Sequence, residues 1–158
     1  MSIKYRSMRS GEEEAVAVMI RQLPKDLGLS TVPKISGHDL RRDGDFAHVM
    51  VAENTGLLVG AAVWMMTFST WRGCKGVYVC DLYVMEHLRG RKVGEGLLRA
   101  LGQQSVPMGA KYIKLEVDTT NAGGLRFYER LNFVKKPSEL THFLEPAQFA
   151  AFIGGDEK

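Results

Sequence analysis

The sequence predicts an α+β fold organised around one mixed, mostly antiparallel β-sheet. Strand-like and helix-like segments alternate along the chain, without a linker, a repeat or a low-complexity stretch. Two strand–turn–strand connections in the middle of the chain predict an antiparallel meander. Further along, a strand is followed by a helix and another strand, and such a crossover predicts a parallel pair.

Size and composition predict a single soluble domain over residues 1–158. Hydrophobic residues make up 45% and charged residues 25% of the chain, which is ordinary for a globular protein. The net charge of +3 is not gathered into one block, and no apolar run resembles a bilayer span or a secretory signal. We therefore expect a cytoplasmic protein with two reduced cysteines and with no nucleic acid or membrane partner.

The N-terminal part of the chain predicts a strand, two helices and a loop between the helices. Ser10–Glu13 has the spacing of a capping box that opens the first helix, and Pro24 is placed to end it. Ser36–Asp39 is predicted to cap a short second helix that ends near Arg42. The other predicted elements here are a strand at Ile3–Arg6 and a loop at Lys25–Ile35.

The centre of the chain predicts two consecutive hairpins. His48–Ala52 and Leu57–Phe68 are the expected arms of the first hairpin, and Glu53–Gly56 is its turn. Trp71–Gly76 then connects to a β-branched and aromatic strand at Val77–Val84.

The last part of the chain predicts the crossover helix, a parallel strand and further short elements. Because a helix joins them, the strand at Lys111–Asp118 is expected to lie parallel to Val77–Val84. The predicted elements are a helix at Val93–Gln104, the parallel strand, a helix at Asn121–Arg130, and terminal strands at Asn132–Lys135 and Leu140–Leu144.

The loop before the crossover helix, Arg89–Gly94, predicts a phosphate site. It is rich in glycine and cations and lies at a helix N-terminus, where unpaired N–H groups carry partial positive charge. An elongated ligand would lie along the preceding strand with its phosphates at this helix. A solvated cationic turn is the competing interpretation of the same residues.

Three segments resemble one known family, the GNAT superfamily of acyl-CoA-dependent N-acetyltransferases. Arg89-Gly90-Arg91-Lys92-Val93-Gly94 resembles that family's diphosphate signature, Gln/Arg-x-x-Gly-x-Gly/Ala, although Lys92 stands where glycine is usual. The segments VCDLYVMEHLRG and NAGGLRFYERLNF resemble the diamine (spermidine/spermine) acetyltransferase branch. The resemblance implies a GNAT-like mixed sheet with one parallel βαβ cofactor unit, helices on both faces, and acetyl-CoA as the co-substrate.

The resemblance also implies roles for individual residues. Backbone N–H groups of Leu82, Tyr83 and Val84 would hold the thioester carbonyl, and their alternative role is ordinary sheet pairing. Tyr128 would protonate the leaving thiolate, and its alternative role is packing in an apolar helix face. Contacts with the cofactor are further implied for Arg89, Gly90, Arg91, Lys92, Val93, Gly94 and Asn121, the last of which would also suit a helix N-cap.

The proton acceptor is expected to be a carboxylate near the same strand. Cys80 occupies the position at which many members of the branch carry a carboxylate. A thiol of ordinary pKa is a poor base, and we interpret Cys80 as a small buried side chain. Asp81 is the preferred base because an acid within an apolar strand is costly to bury and therefore indicates a specific role. A structural hydrogen-bonding role for Asp81 stays open. So do Glu116, Asp118 and a water chain between these carboxylates as the proton acceptor.

We therefore expect an enzyme that transfers an acetyl group from acetyl-CoA to a primary amine of a small molecule by direct attack. The expected amine substrate is a diamine, a polyamine or an amino-acid side-chain amine. Two alternatives remain: a protein or peptide N-acetyltransferase, and a catalytically weak CoA-binding sensor module. The four histidines show no paired metal spacing, so no metal is expected. The resemblance implies a homodimer.

Overall fold

The computed structural model describes residues 1–154, which fall into two compact units, Met1–Leu125 and a second unit that begins at Arg126. The strands are β1 (Ile3–Ser7), β2 (His48–Asn54), β3 (Leu57–Ser69), β4 (Cys74–Val84) and β5 (Ala110–Leu115). The helices are α1 (Glu13–Asp26), α2 (Gly37–Arg42), α3 (Val93–Ser105), α4 (Ala122–Arg130) and α5 (Pro146–Phe152), with 3-10 turns at Glu86–Leu88 and Val106–Met108.

The first unit is built on a five-stranded sheet in the order β1-β2-β3-β4-β5. The first four strands are antiparallel to their neighbours, and β5 is parallel to β4. The predicted mixed, mostly antiparallel sheet is therefore confirmed. Its parallel pair is joined by α3, as the crossover pattern predicted.

Helices cover both faces of this sheet, as predicted. One face packs against α1 and α2, whose core side chains include Val16, Ile20 and Leu40. Val51 and Val63 belong to that same cluster. Because side chains alternate along a strand, their neighbours point to the opposite face, where α3 contacts the central strands. The residues buried there include Ala52, Ala62, Trp64, Leu97 and Leu101.

The N-terminus of α1 differs from the predicted capping box, which is wrong. The helix begins at Glu13, and the residue before it makes no side-chain cap. Instead, two carboxylates reach back along the chain: Glu12 accepts from the N–H of Arg9 at 2.8 Å, and Glu13 accepts from the N–H of Gly11 at 2.7 Å. These carboxylates accept from main-chain N–H groups ahead of the helix, whereas in the predicted box the Ser10 hydroxyl would accept from the N–H of Glu13.

Pro24 does not end α1, which continues to Asp26. Proline lacks only its own N–H, so in the last turn it removes one hydrogen bond and leaves the following residues free to stay helical. Gly28, two residues after the helix, has φ +70°, and the N–H of Leu29 donates to the carbonyl of Pro24 at 2.7 Å. The second predicted cap is confirmed: Ser36 and Asp39 form both bonds of a capping box.

The second unit lacks the two predicted terminal strands, which are wrong. Within its described residues, Asn132–Lys135 and Leu140–Leu144 have irregular backbone, and α5 follows them. The side chains that suggested strands are open to solvent, with Val134, Leu140 and Phe143 exposed by 86%, 78% and 75%. A strand needs a neighbouring strand to pair with its backbone groups, and among the described residues no strand pairs with these segments.

The two tryptophans of the chain, Trp64 and Trp71, differ in their exposure to solvent. Trp64 in β3 is fully buried, stacks on His48 with ring centroids 4.6 Å apart, and has a buried indole N–H without a partner among the described residues. Trp71 lies in the turn between β3 and β4 and is 98% exposed.

Across residues 1–154, the helices are all too short or too polar to cross a membrane.

Candidate active site

The strand β4 separates from β5 halfway along its length. The two strands pair from Lys75 to Val79, and the last pair joins Val79 to Leu115. On its other side, β4 stays paired with β3 as far as Val84. Among the described residues, no strand therefore pairs with residues 80–84 on the β5 side, and we call this open side of β4 the gap. This stretch contains the three residues predicted to hold the thioester carbonyl, and that role stays a prediction.

A β-bulge lies where the two strands separate. Val63 of β3 pairs with Asp81, whereas the next residue, Trp64, pairs with Val79. Cys80 is therefore the extra residue of the bulge. Paired residues share a face, and Met65, two residues after Val63, pairs with Tyr78. The bulge thus brings Asp81 onto the same face as Tyr78, the face that α1 and α2 cover further along.

The carboxyl of Asp81 has the electrostatics of a base that works near neutral pH. Burial raises its pKa from 3.8 to about 6. The Cys80 residue as a whole is exposed, so its interpretation as a buried side chain is wrong. Desolvation of its thiol, helped by the charge of Asp81, raises the thiol pKa to about 11. Cys80 is therefore protonated at neutral pH and is a poor base.

The other two carboxylates differ in their surroundings. Glu116 follows the last residue of β5 and lies near the Tyr78 hydroxyl of β4. Burial and the nearby carboxylates raise the pKa of Tyr78. Asp118 accepts from both the N–H and the hydroxyl of Thr120, and these bonds lower its pKa. Asp81 is therefore better suited than Asp118 to accept a proton at neutral pH.

The loop Arg89–Gly94 follows β4 after one 3-10 turn and leads directly into α3. Gly90 has φ +75°, and Lys92 also adopts a left-handed conformation with φ +62°. A side chain in that conformation costs about 1 kcal/mol, which explains why glycine is usual at the position of Lys92. The first helical bond runs from Gly96 N–H to the Lys92 carbonyl. The N–H groups of the first turn of α3 precede this bond and have no acceptor within the helix, as in an anion site.

The cations of this loop differ in their surroundings. Arg91 and Lys92 are exposed and form no ion pair among the described residues. Arg89 is engaged: its Nη2 lies 2.5 Å from Asp26 at the end of α1, and its Nε donates to the Val84 carbonyl at 2.9 Å. Its guanidinium also lies over the Tyr83 ring, 5.7 Å from the centroid. The contact with Asp26 joins residues 63 apart, and nothing in the sequence indicates it.

Asn121 caps α4 in the structure. Its Oδ1 accepts from the N–H of Gly124 at 2.9 Å, which is the helix-capping role that the sequence left open. The cap uses the oxygen, so the predicted cofactor contact falls to the side-chain NH₂ group. Tyr128 lies in the second unit and packs edge-on against Phe127 and Phe133, at centroid distances of 4.9 and 5.3 Å.

The first unit also contains a cavity that lies apart from the candidate site. A cavity of about 190 Å³ lies between the end of β1, the start of β2 and Gln104 of α3, and none of the predicted site residues lines it. In the chain up to Gly154, no three His, Cys, Asp or Glu side chains come together as metal ligands would.

Comparison with known proteins identifies relatives over most of the chain. Residues 17–133 match the model of the acetyltransferase (GNAT) family. Thialysine N-epsilon-acetyltransferases of Mus musculus and Sus scrofa are 30% and 28% identical over 142 residues, which cover 82% of this chain and 83% of each relative.

Solved structures share the fold at lower identity. An integron cassette protein of V. cholerae has a TM-score of 0.77 at 15% identity, covering 98% of this chain and 99% of its own. An aminoglycoside acetyltransferase from an uncultured soil metagenomic sample has a TM-score of 0.72 at 16% identity, covering 90% and 94%. The matched family region contains β4, the glycine-containing loop and α3. The chain therefore belongs to the GNAT family and is an acyl-CoA-dependent N-acetyltransferase.

Proposed function

We propose that the protein transfers an acetyl group from acetyl-CoA to a primary amine of a small molecule. The observation that carries this proposal is the separation of β4 from β5 after Val79, together with the path of the chain from the end of β4, through one 3-10 turn and the loop, to the N-terminus of α3. A thioester lying in that gap would meet main-chain donors, and the diphosphate of the same molecule would meet the loop.

The proposed reaction is a direct attack of the amine on the thioester carbonyl. The N–H groups of the stretch Leu82–Val84 stabilise the oxyanion as it forms, because they are fixed donors that need no reorganisation. Asp81 accepts the proton that the nitrogen loses. The carbon–sulfur bond then breaks, and Tyr128 protonates the thiolate. The Asn121…Phe127-Tyr128 resemblance supports the role of Tyr128, and the raised pKa of Asp81 supports its role as the base.

The cofactor is proposed to bind through main chain more than through side chains. Backbone N–H groups of Gly90, Val93 and Gly94 approach the diphosphate, and the exposed cations Arg91 and Lys92 add charge. The NH₂ group of Asn121 binds the pantetheine part. Arg89 contributes only after it leaves its present partner.

The proposed amine substrate is a diamine, a polyamine or an amino acid with a side-chain amine. Support comes from the mammalian relatives, which are named thialysine N-epsilon-acetyltransferases and align with 82% of this chain. The carboxylates of Asp81 and Glu116 lie at the gap and would attract a cationic amine.

We also propose that the enzyme is a cytoplasmic homodimer. The second unit exposes large apolar side chains, among them Phe143 at 75% and Phe152 at 78%, which favour burial against a second copy. Both cysteines are free thiols, which suits a reducing compartment. Light scattering at two protein concentrations tests the dimer, and a monomer at both would contradict it.

A binding and turnover experiment tests the proposed function. Calorimetry with CoA is expected to show saturable binding at one site per chain. Free-thiol release from acetyl-CoA is then measured with lysine, thialysine, diamines, polyamines and peptides with free N-termini. Release with small amines supports the proposal, whereas release only with peptides favours the protein N-acetyltransferase. CoA binding without release for any amine favours the sensor module, and absence of CoA binding contradicts all three.

Tyr128→Phe tests the proposed acid. We expect kcat to fall by about 10- to 100-fold with CoA affinity unchanged, because only the proton donor is lost. Tyr112→Phe is the matched control: its ring lies under Arg72, with the guanidinium 5.0 Å from the centroid, and kcat should not change. Equal kcat values for Tyr128→Phe and the wild type would remove the acid role.

A further inference from the structure

The contact between Arg89 and Asp26 connects two segments with different proposed tasks. Arg89 belongs to the diphosphate loop, and Asp26 is the last residue of α1, immediately before the loop 27–34 that precedes α2. The pair is partly exposed, with 41% of the Arg89 side chain and 23% of the Asp26 side chain open to solvent. A phosphate at the diphosphate loop would therefore have access to the same guanidinium.

Loop 27–34 is held mainly at its two ends. At its far end, Arg21 donates to the Ile35 carbonyl at 2.7 Å, and Glu14 accepts from the N–H of Gly37 at 2.7 Å. Between Leu29 and Ile35, the described chain forms no backbone hydrogen bond. Leu29 and Val32 within it are 42% and 68% exposed. With so few internal contacts, the conformation of this loop depends on its anchors, and Asp26 is the anchor at its near end.

We infer that the Asp26–Arg89 ion pair is a latch that cofactor binding opens. A bound diphosphate competes with the Asp26 carboxylate for the donors of Arg89, and its negative charge repels that carboxylate. Arg89 passes to the diphosphate, Asp26 is released, and the last turn of α1 with loop 27–34 becomes free to rearrange. This inference rests on the proposed function, because it needs a diphosphate at the loop.

Asp26→Asn tests the latch in the full-length protein. It keeps the side-chain shape and removes the competing charge, so CoA should bind about two- to fivefold more tightly, in line with the strength of a partly exposed ion pair. The gain should shrink as salt is added, because salt screens the pair in the unliganded wild type. Asp43→Asn is the matched control: it breaks a comparable pair with Arg42, 2.8 Å apart on α2, and should leave CoA affinity unchanged.

Hydrogen exchange of the wild type gives a second readout that needs no variant. The reporting amides are those of Leu27, Gly28 and Leu29, which bond back to carbonyls of the last turn of α1. CoA should make them exchange faster in the wild type and should have little effect in Asp26→Asn, where they are already faster. Unchanged or weaker CoA binding by Asp26→Asn, or slower exchange of these amides on adding CoA to the wild type, would overturn the latch.

The two proposals fail in distinguishable ways. If the wild type binds no CoA, the proposed function fails and the latch fails with it. If the wild type binds CoA and turns over amines while Asp26→Asn behaves as the wild type does, only the latch fails.

Discussion

The two halves of β4 differ in what surrounds them. Residues 75–79 have a strand on both sides, and Val77 and Val79 are 0% and 3% exposed. Residues 80–84 have a strand on one side only, begin with an exposed bulged cysteine, and carry a carboxyl whose pKa is raised to about 6. Where β4 is paired on both sides, its side chains pack in the core. Where pairing with β5 has stopped, main-chain N–H groups and the Asp81 carboxyl are available to bind a ligand.

The largest expected effect is on catalysis and comes from residues 80–84, the half of β4 that has a neighbouring strand on one side. Asp81→Asn should lower kcat by about 100- to 10,000-fold, because the proton acceptor is lost. The measurement is steady-state thiol release with a saturating amine. Glu116→Gln and Asp118→Asn are the controls and should stay within tenfold of the wild type. If either control loses more activity than Asp81→Asn, the base has been assigned to the wrong carboxylate.

The pH dependence of kcat should show the same group. A base accepts a proton only when it is deprotonated, and the pKa of Asp81 is about 6. Below that pH, kcat of the wild type should fall by about tenfold per pH unit. Any activity that remains in Asp81→Asn should lack this step. A wild-type profile that is flat between pH 5 and 7 would contradict the assignment.

Substitutions in residues 75–79, the half of β4 with a strand on both sides, are expected to lower stability and to leave catalysis unchanged. Gly76 is buried, and a methyl group added there would overlap the ring of Tyr112 on β5. Gly76→Ala should therefore lower the free energy of unfolding by about 1–3 kcal/mol, measured by urea titration. The folded fraction should keep its kcat. A stable but inactive variant would show that this half also takes part in chemistry.

Asp81→Asn should also raise stability at neutral pH. In the wild type, the pKa of Asp81 is about 6 in the folded state, above the ordinary value of 3.8. Between these two pH values the folded protein binds a proton that the unfolded chain has lost, so the wild type loses stability as the pH rises through this range. Removing the charge should gain about 1–2 kcal/mol at pH 7.5. The gain should vanish below about pH 4, where both states are protonated. Urea titrations at both pH values measure it, and an equal gain at each would contradict burial of the charge.

The smallest effect is expected at the bulge itself. Cys80 is exposed and its thiol is protonated at neutral pH, so it supplies neither packing nor a base. Cys80→Ala should change kcat by less than about twofold and the free energy of unfolding by less than about 0.5 kcal/mol. A tenfold loss of kcat would return the thiol to the list of candidate bases.

Most of the first unit could be predicted because its signals are local. The hairpin turn, the alternating strands and the strand–helix–strand order each determine structure within about 30 residues. The errors arose where distant or competing partners decide. The carboxylates of Glu12 and Glu13 accept from the N–H groups of Arg9 and Gly11, and the predicted cap by Ser10 does not form. The segments at Asn132–Lys135 and Leu140–Leu144 have strand composition, but composition does not provide a partner strand.

The candidate site was predictable in its types of residue but not in its geometry. Glycines and cations indicated the diphosphate loop, whereas the left-handed backbone of Lys92, with φ +62°, was not predicted. The bulge at Cys80 has no local sequence signal, because one extra residue in a strand leaves the composition unchanged. In a regular strand, Tyr78 and Asp81 would face opposite sides, so the approach of Tyr78 to this site could not be foreseen.

The contrast between Trp64 and Trp71 provides a built-in optical probe. The indole of Trp64 is shielded from a dissolved quencher such as acrylamide, whereas Trp71 at 98% exposure is open to it. Replacing Trp71 with Phe should leave a fluorescence signal that comes from the middle of β3 alone. Quenching of that emission would then follow the opening of the sheet, without an added dye.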